Sequence, residues 1–139
     1  MDSSIVNFIN DNHILTLATS NGNVPYCSNL FYFYEHESNS LIFSSDSNTR
    51  HVREFLKNDI VSASIIFDTC EVNNIRGLQI VGSMVDLNAK EANIYRDKYI
   101  LKFPYAVNMK LELWKLEMNY IKMTDNRVKF GHKIIWEKT

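Results

Sequence analysis

From Ile14 onward the apolar positions come in short β-branched and aromatic runs, cut by clusters of turn-forming residues. The runs are ILTLATS, VPYCSNLFYFYE, LIFSS, IVSASIIF, IRGLQIVGSMVDL, LELWKLEMNYIKM and RVKFGHKIIW. Their texture and spacing predict about seven strands. Asn21-Gly22 between the first two runs predicts a hairpin turn. In the second run Phe31, Tyr32, Phe33 and Tyr34 occupy both faces, whereas a strand wetted on one side alternates apolar with polar. The expectation is one face in the core and the other against a partner. Period two places Trp114, Leu116, Met118 and Tyr120 on one face of the sixth run. In the seventh it aligns Val128, Phe130, His132, Ile134 and Trp136. Gly77 and Gly82, inside an otherwise good strand, mark a bulge or a sharp bend.

Three segments carry helical spacing instead. SSIVNFINDN sets Ile5, Phe8 and Ile9 on one face behind Ser3 or Ser4 as cap, and should lie across an open end of the core. DSNTRHVREFLKN sets Val52, Phe55 and Leu56 on one side behind several candidate caps. AKEANIYRDKYILKF carries Ala92, Tyr95 and Tyr99 on one stripe, with Asn88 as cap and Pro104 as the stop. Many strands interrupted by short helices predict a mainly β fold, a closed or nearly closed antiparallel barrel rather than a βαβ layout.

The chain has 139 residues, 45% hydrophobic and 22% charged, which fits a single domain over residues 1–139 with a core of its own. Fifteen basic residues against 16 acidic ones leave no global field to draw in nucleic acid or an acidic membrane. No apolar stretch has the length of a signal core or a span, so a soluble, cytoplasmic protein is expected. Cys27 and Cys70 form no CxxC and have no histidine at ligand spacing. They are expected to be small, partly buried residues with free thiols, with neither a zinc site nor a disulfide.

The segment Phe43-Ser44-Ser45-Asp46-Ser47-Asn48-Thr49-Arg50-His51-Val52-Arg53 carries the chemistry. It runs from a strand end through hydroxyl-bearing residues into a helix whose first turns hold Arg50, His51 and Arg53. Cations are disfavoured at that end, where free backbone N–H groups are already positive. Those N–H groups, the hydroxyls and an Arg would together make an anion pocket suited to a phosphate. The plainer alternative is a solvated helix start whose arginines pair with Asp46 or Glu54. Arg76, beside Gly77 in a strand, must reach solvent, a partner or a ligand. His13, His36 and His132 are scattered, and no HExxH, GxSxG, GxGxxG, Walker loop or paired-carboxylate motif is present.

Ser-Ser at a strand end, Thr49-Arg50-His51 on a short helix, then IVSASIIF and IRGLQIVGSM resemble the pyridoxamine 5′-phosphate oxidase-like FMN-binding split barrels. The likeness covers roughly residues 10–88. Thr124-Asp125-Asn126, Phe130-Gly131, Lys133 and Trp136 extend it toward the YhbP-like bacterial branch. The resemblance implies an FMN cofactor, with Ser44, Ser45, Thr49, Arg50 and His51 at its phosphate and Asn29 with its neighbouring backbone at the ring. Arg76 matches an arginine of the ring-lining strand, and Gly77 stands where the oxidase has Gln, which removes one hydrogen bond to the flavin. It further implies a homodimer with cofactor sites at the interface, Lys133 and Trp136 reaching the partner's flavin. The oxidase's C-terminal Arg-x-His pair is missing, so a true vitamin B6 oxidase is not expected. What remains is a flavin-dependent oxidoreductase taking hydride from NADH or NADPH and passing it to a small acceptor. The alternative is a non-catalytic flavin- or haem-binding carrier or sensor of the same fold.

Overall fold

The computed structural model describes all 139 residues. The predicted runs become β1 (Ile14–Asn21), β2 (Val24–Glu35), β3 (Ser40–Ser44), β4 (Ile60–Ile66), β5 (Arg76–Val85), β6 (Leu113–Asp125) and β7 (Lys133–Glu137). The helices are α1 (Ser3–Asp11), α2 (Arg50–Lys57) and α3 (Ala89–Lys102). Every strand pair is antiparallel, in the order β3-β2-β1-β4-β5-β6-β7. An additional β3–β6 pairing joins the ends of the first six into a barrel. The first half of β6 pairs with β3 and its second half with β7, so β7 extends the same edge beyond the closure. Closure leaves few unpaired backbone edges to solvent.

Alternation along the strands fills the barrel: Leu15, Leu17, Tyr32, Leu41, Phe43, Ile65, Leu78, Ile80 and Leu116 are at most 1% exposed. α1 covers one end through Ile5, Phe8 and Ile9, as its spacing predicts. Its cap is Asp2, whose carboxylate accepts from the Ser4 N–H at 2.7 Å, in place of the serines named from sequence. α2 lies at the opposite end, beside the β1–β2 turn, where Asn58 at its C-terminus donates to Ser20. The turn itself is Gly22-Asn23, both at positive φ (56° and 64°), one position later than Asn21-Gly22.

A bulge in β6 decides which faces are which. Val81 pairs with Tyr120 and Gly82 with Met118, leaving Asn119 as the extra residue. Leu116 and Met118 point inward before it, and Ile121 and Met123 after it. Tyr120 therefore leaves the face that unbroken alternation assigned it. Gly82 is required there, because a Cβ would collide with the Glu117 carbonyl oxygen and the Leu116 side chain.

Four further expectations change. The other face of the aromatic strand is covered partly by the chain itself, since α3 lays Tyr95 and Tyr99 over Phe33 and Ile42 in a second small core. The seventh run is a strand only from Lys133; residues before it form a turn in which Gly131 has φ +73° and donates its N–H to Asn126 Oδ1. Val128 and Phe130 are consequently exposed, at 64% and 79%. Leu56 faces solvent while His51 and Glu54 take buried positions on α2. Both cysteines are exposed as well as free. α3 starts at Asn88 as expected, in a capping box with Glu91.

Candidate functional site

β3 ends at Ser44 and the chain crosses the mouth of the barrel to start α2 at Arg50. A strap of residues 103–112, between α3 and β6, approaches the same crossing. Between strap, strand end and the middle of β2 lies a cleft of about 510 Å³ lined by Asn29, Phe31, Ser44, Ser45, Tyr105 and Glu112, among others. The strap is stapled to the crossing at several points. Ser45 N–H donates to the Glu112 carbonyl at 3.0 Å and Ser47 N–H to the Glu112 carboxylate at 2.6 Å. Trp114 Nε1–H donates to the Ser45 carbonyl at 2.8 Å.

Two of the three hydroxyls expected from sequence, those of Ser45 and Thr49, meet at His51, while Ser44 lines the cleft without joining them. Ser45 Oγ lies 2.5 Å and Thr49 Oγ1 3.3 Å from His51 Nε2. Thr49 spends its only hydroxyl proton on the Asp46 carbonyl, at 2.7 Å, so toward the imidazole it can only accept. A ring protonated on Nε2 donates to both oxygens and leaves the Ser45 proton for a ligand, whereas a ring protonated on Nδ1 accepts that proton from Ser45. Burial lowers the His51 pKa below the ordinary imidazole value, and the Glu54 charge only partly opposes this. His51 thus enters as a neutral positioning group for Ser45, rather than as the cation its place in the sequence suggested.

Arg50 does not line that cleft; it opens on a separate space with Asn21, Arg53, Glu54 and Lys57. Its guanidinium lies 4.0 Å over the Tyr26 ring and its Nε donates to Glu54 at 3.1 Å. Glu54 is buried and also accepts from Thr19 Oγ1 at 2.7 Å. That Thr19 hydrogen bond lowers the Glu54 pKa, burial opposes, and Arg50 adds to the lowering. The Arg50–Glu54 pair named as the plainer alternative is therefore present. It occupies one guanidinium edge of a side chain still 47% exposed. Thr49 makes no side-chain cap to α2, so the first N–H groups of that helix are not capped by it.

Asn29 joins the cleft from β2, fixed by a 2.8 Å hydrogen bond from Thr16 Oγ1. The other three residues named from sequence lie elsewhere in the single chain. Arg76 starts β5 at the α1 end, its guanidinium 4.0 Å over the Phe67 ring, and belongs to the inward-pointing set with Leu78 and Ile80. Nine residue steps along β5, roughly 30 Å of strand, separate it from Val85, which neighbours α2. Lys133 is exposed at the Arg76 end, donating to Thr124 at 2.8 Å. Trp136 is half-buried against the barrel core. Sequence reasoning missed Tyr26, Thr19, Glu112 and Tyr105. Only folding brings these to the crossing, and Thr19 and Glu112 stand 35 and 65 residues from their partners.

No protein-family model matches the chain. Among curated proteins, a UPF0306 protein of Serratia proteamaculans is 34% identical over 135 residues, 97% of this chain and 94% of that one. A UPF0306 protein of Photorhabdus laumondii is 32% identical over 126 residues, 91% and 88%. Among solved structures, a pyridoxamine 5′-phosphate oxidase-related, FMN binding protein from Nostoc punctiforme superposes with a TM-score of 0.72 at 15% identity, over 99% of this chain and 90% of that one. A heme binding protein from Mycobacterium smegmatis gives 0.76 at 14% identity, this chain spanning 59% of its length. A FAD-binding protein from Mesorhizobium loti gives 0.71 at 14%, over 88% and 93%.

Proposed function

This chain belongs to the UPF0306 family and folds as the split barrel of the pyridoxamine 5′-phosphate oxidase-related proteins, and on that premise we propose that it is an FMN-binding oxidoreductase working as a homodimer. The observation that carries the reading is the Ser45–Thr49–His51 cluster, in which Ser45 lines the cleft while Arg50, on the same crossing, opens on a separate space with Asn21, Arg53 and Lys57. A phosphate needs such a set: hydroxyl and backbone donors, and a guanidinium for charge-assisted contacts. The cleft's size lies within the usual range for small-molecule sites. Phe31 and Tyr105, 43% and 57% exposed, offer aromatic faces to a planar ring beside Asn29.

In this reading Arg50 and the first turn of α2 hold the phosphate, Ser45 donates to it, and Thr49 and His51 keep Ser45 in place. Asn29 and the β2 backbone face the ring. Bound flavin would supply two-electron chemistry, accepting hydride from NADH or NADPH and passing it to a small molecule. Dimerisation is favoured by the outer face of β2, β1, β4 and β5, where Ile14, Ile60, Ile66 and Val81 are 45–73% exposed. A second copy would also bring an exposed Lys133 within reach of a site that the single chain leaves to α2. Haem is less well served: His51 is held by Ser45 and Thr49, and His132 lies at the other end of the barrel.

An absorbance and fluorescence titration with FMN tests the reading. Stoichiometric binding with quenched flavin fluorescence is expected, weakened about tenfold to a hundredfold in Arg50→Ala. Light scattering should give a mass near twice 16.2 kDa. Reduction of the bound flavin by NADH or NADPH, and reoxidation by an added acceptor, separates a reductase from a carrier. A folded protein that binds no FMN overturns the proposal.

A further inference from the structure

A second cavity, of about 640 Å³, is on the other side of the strap from the cleft. It lies between the exit of β5, the start of α3 and residues 111–114, and shares only Leu111 with the cleft lining. Leu87, Leu113 and the Trp114 ring give it apolar walls. Trp114 is rigid there, held by its hydrogen bond to Ser45 and an edge contact with Phe55 at 5.2 Å between centroids.

Two charges of opposite sign face this space without meeting. Arg96 has no carboxylate partner; one guanidinium nitrogen donates to the Met109 carbonyl at 3.3 Å, which leaves its remaining donors uncommitted. Asp86, exposed at the exit of β5, also lines the cavity and forms no ion pair either. All five ion pairs of the chain lie elsewhere. A guanidinium fork matches a carboxylate in two-point geometry, and a lone aspartate matches an ammonium. Asn93 adds an amide able to donate and accept.

We propose that this cavity is a second small-molecule site that takes an apolar amino acid as its zwitterion. Arg96 receives the carboxylate, Asp86 the ammonium, and the side chain lies against Trp114 and the leucines. The cavity shares only Leu111 with the cleft lining, so this proposal does not rest on the flavin reading.

Calorimetric titration of the full chain with L-phenylalanine, 3-phenylpropionate and 2-phenylethylamine tests this, the latter two each lacking one charge. Trp114 emission in a Trp136→Phe background reports occupancy, since the chain has only two tryptophans. L-phenylalanine should bind saturably, each single-charge analogue roughly tenfold or more weaker, and Asp86→Asn should lose a similar factor. Arg96→Gln should lose it too, and if releasing Met109 unfolds that variant, Asp86→Asn alone decides. Absence of saturable binding, equal affinity for all three probes, or binding unmoved by Asp86→Asn overturns the proposal.

Discussion

Phe31 and Phe33 stand two residues apart on the same outer face of β2, yet one is 43% exposed and the other 6%. The difference is α3. Where it crosses the sheet, Phe33 and Ile42 are sealed beneath Tyr95 and Tyr99. Where it stops, the same face continues bare across β1, β4 and β5. An apolar residue on a strand's second face therefore says only that something covers it. A helix of the same chain does so at Phe33, and at Phe31 the Phe103 and Tyr105 rings do so only in part.

The largest expected effect is on the covered half. Phe33→Ala should cost about 3–5 kcal/mol, because a sealed aromatic leaves a cavity, and lower the melting temperature by roughly 10–20 °C. A loss near zero would mean that α3 is not a fixed cover. Gly82→Ala is expected to cost about 1–3 kcal/mol by overpacking at the bulge that separates inward from outward positions of β6, measured by urea denaturation. On the bare half, Ile66→Lys should change folding stability by no more than about 0.5 kcal/mol while converting the proposed dimer to a monomer in light scattering. Large destabilisation without a change in mass would show that Ile66 serves the chain and not an interface.

The smallest effect distinguishes the halves by pH. The Lys115 hydrogen bond lowers the Glu91 pKa from 4.5, burial opposes, and the Asn88 backbone contact adds to the lowering. A carboxylate with a depressed folded value contributes stability above its unfolded value and loses it as pH falls through the folded one. Hydrogen exchange should thus show α3 amides losing protection as pH falls below the ordinary carboxylate range, while β4 amides hold theirs. Equal loss in both would sever Glu91 from the hold of α3 on the barrel.

Strand existence, barrel class, the three helices and the Asn88 cap were legible in the sequence, because period and capping chemistry are local. So was the approach of Ser45, Thr49 and His51, which lie within seven residues of one another across a strand end and a helix start. The neutral state of His51 was not legible, since burial set by α2 docking lowers its pKa. Nor was the outward turn of Tyr120, which depends on one unpaired residue opposite Gly82. Alternation has no memory of a bulge until the partner strand is known.

By itself, then, the order of residues determined which segments are strands and helices, and that hydroxyls and cations crowd one short stretch between β3 and α2. Only the tertiary structure decided that Glu54 and Thr19 meet beneath Arg50, that Glu112 closes on the Ser47 N–H, and that Arg76 turns away beneath α1. These are contacts across tens of residues. They form because closing the barrel brings distant segments to the same rim, and neither periodicity nor propensity encodes which segments those will be.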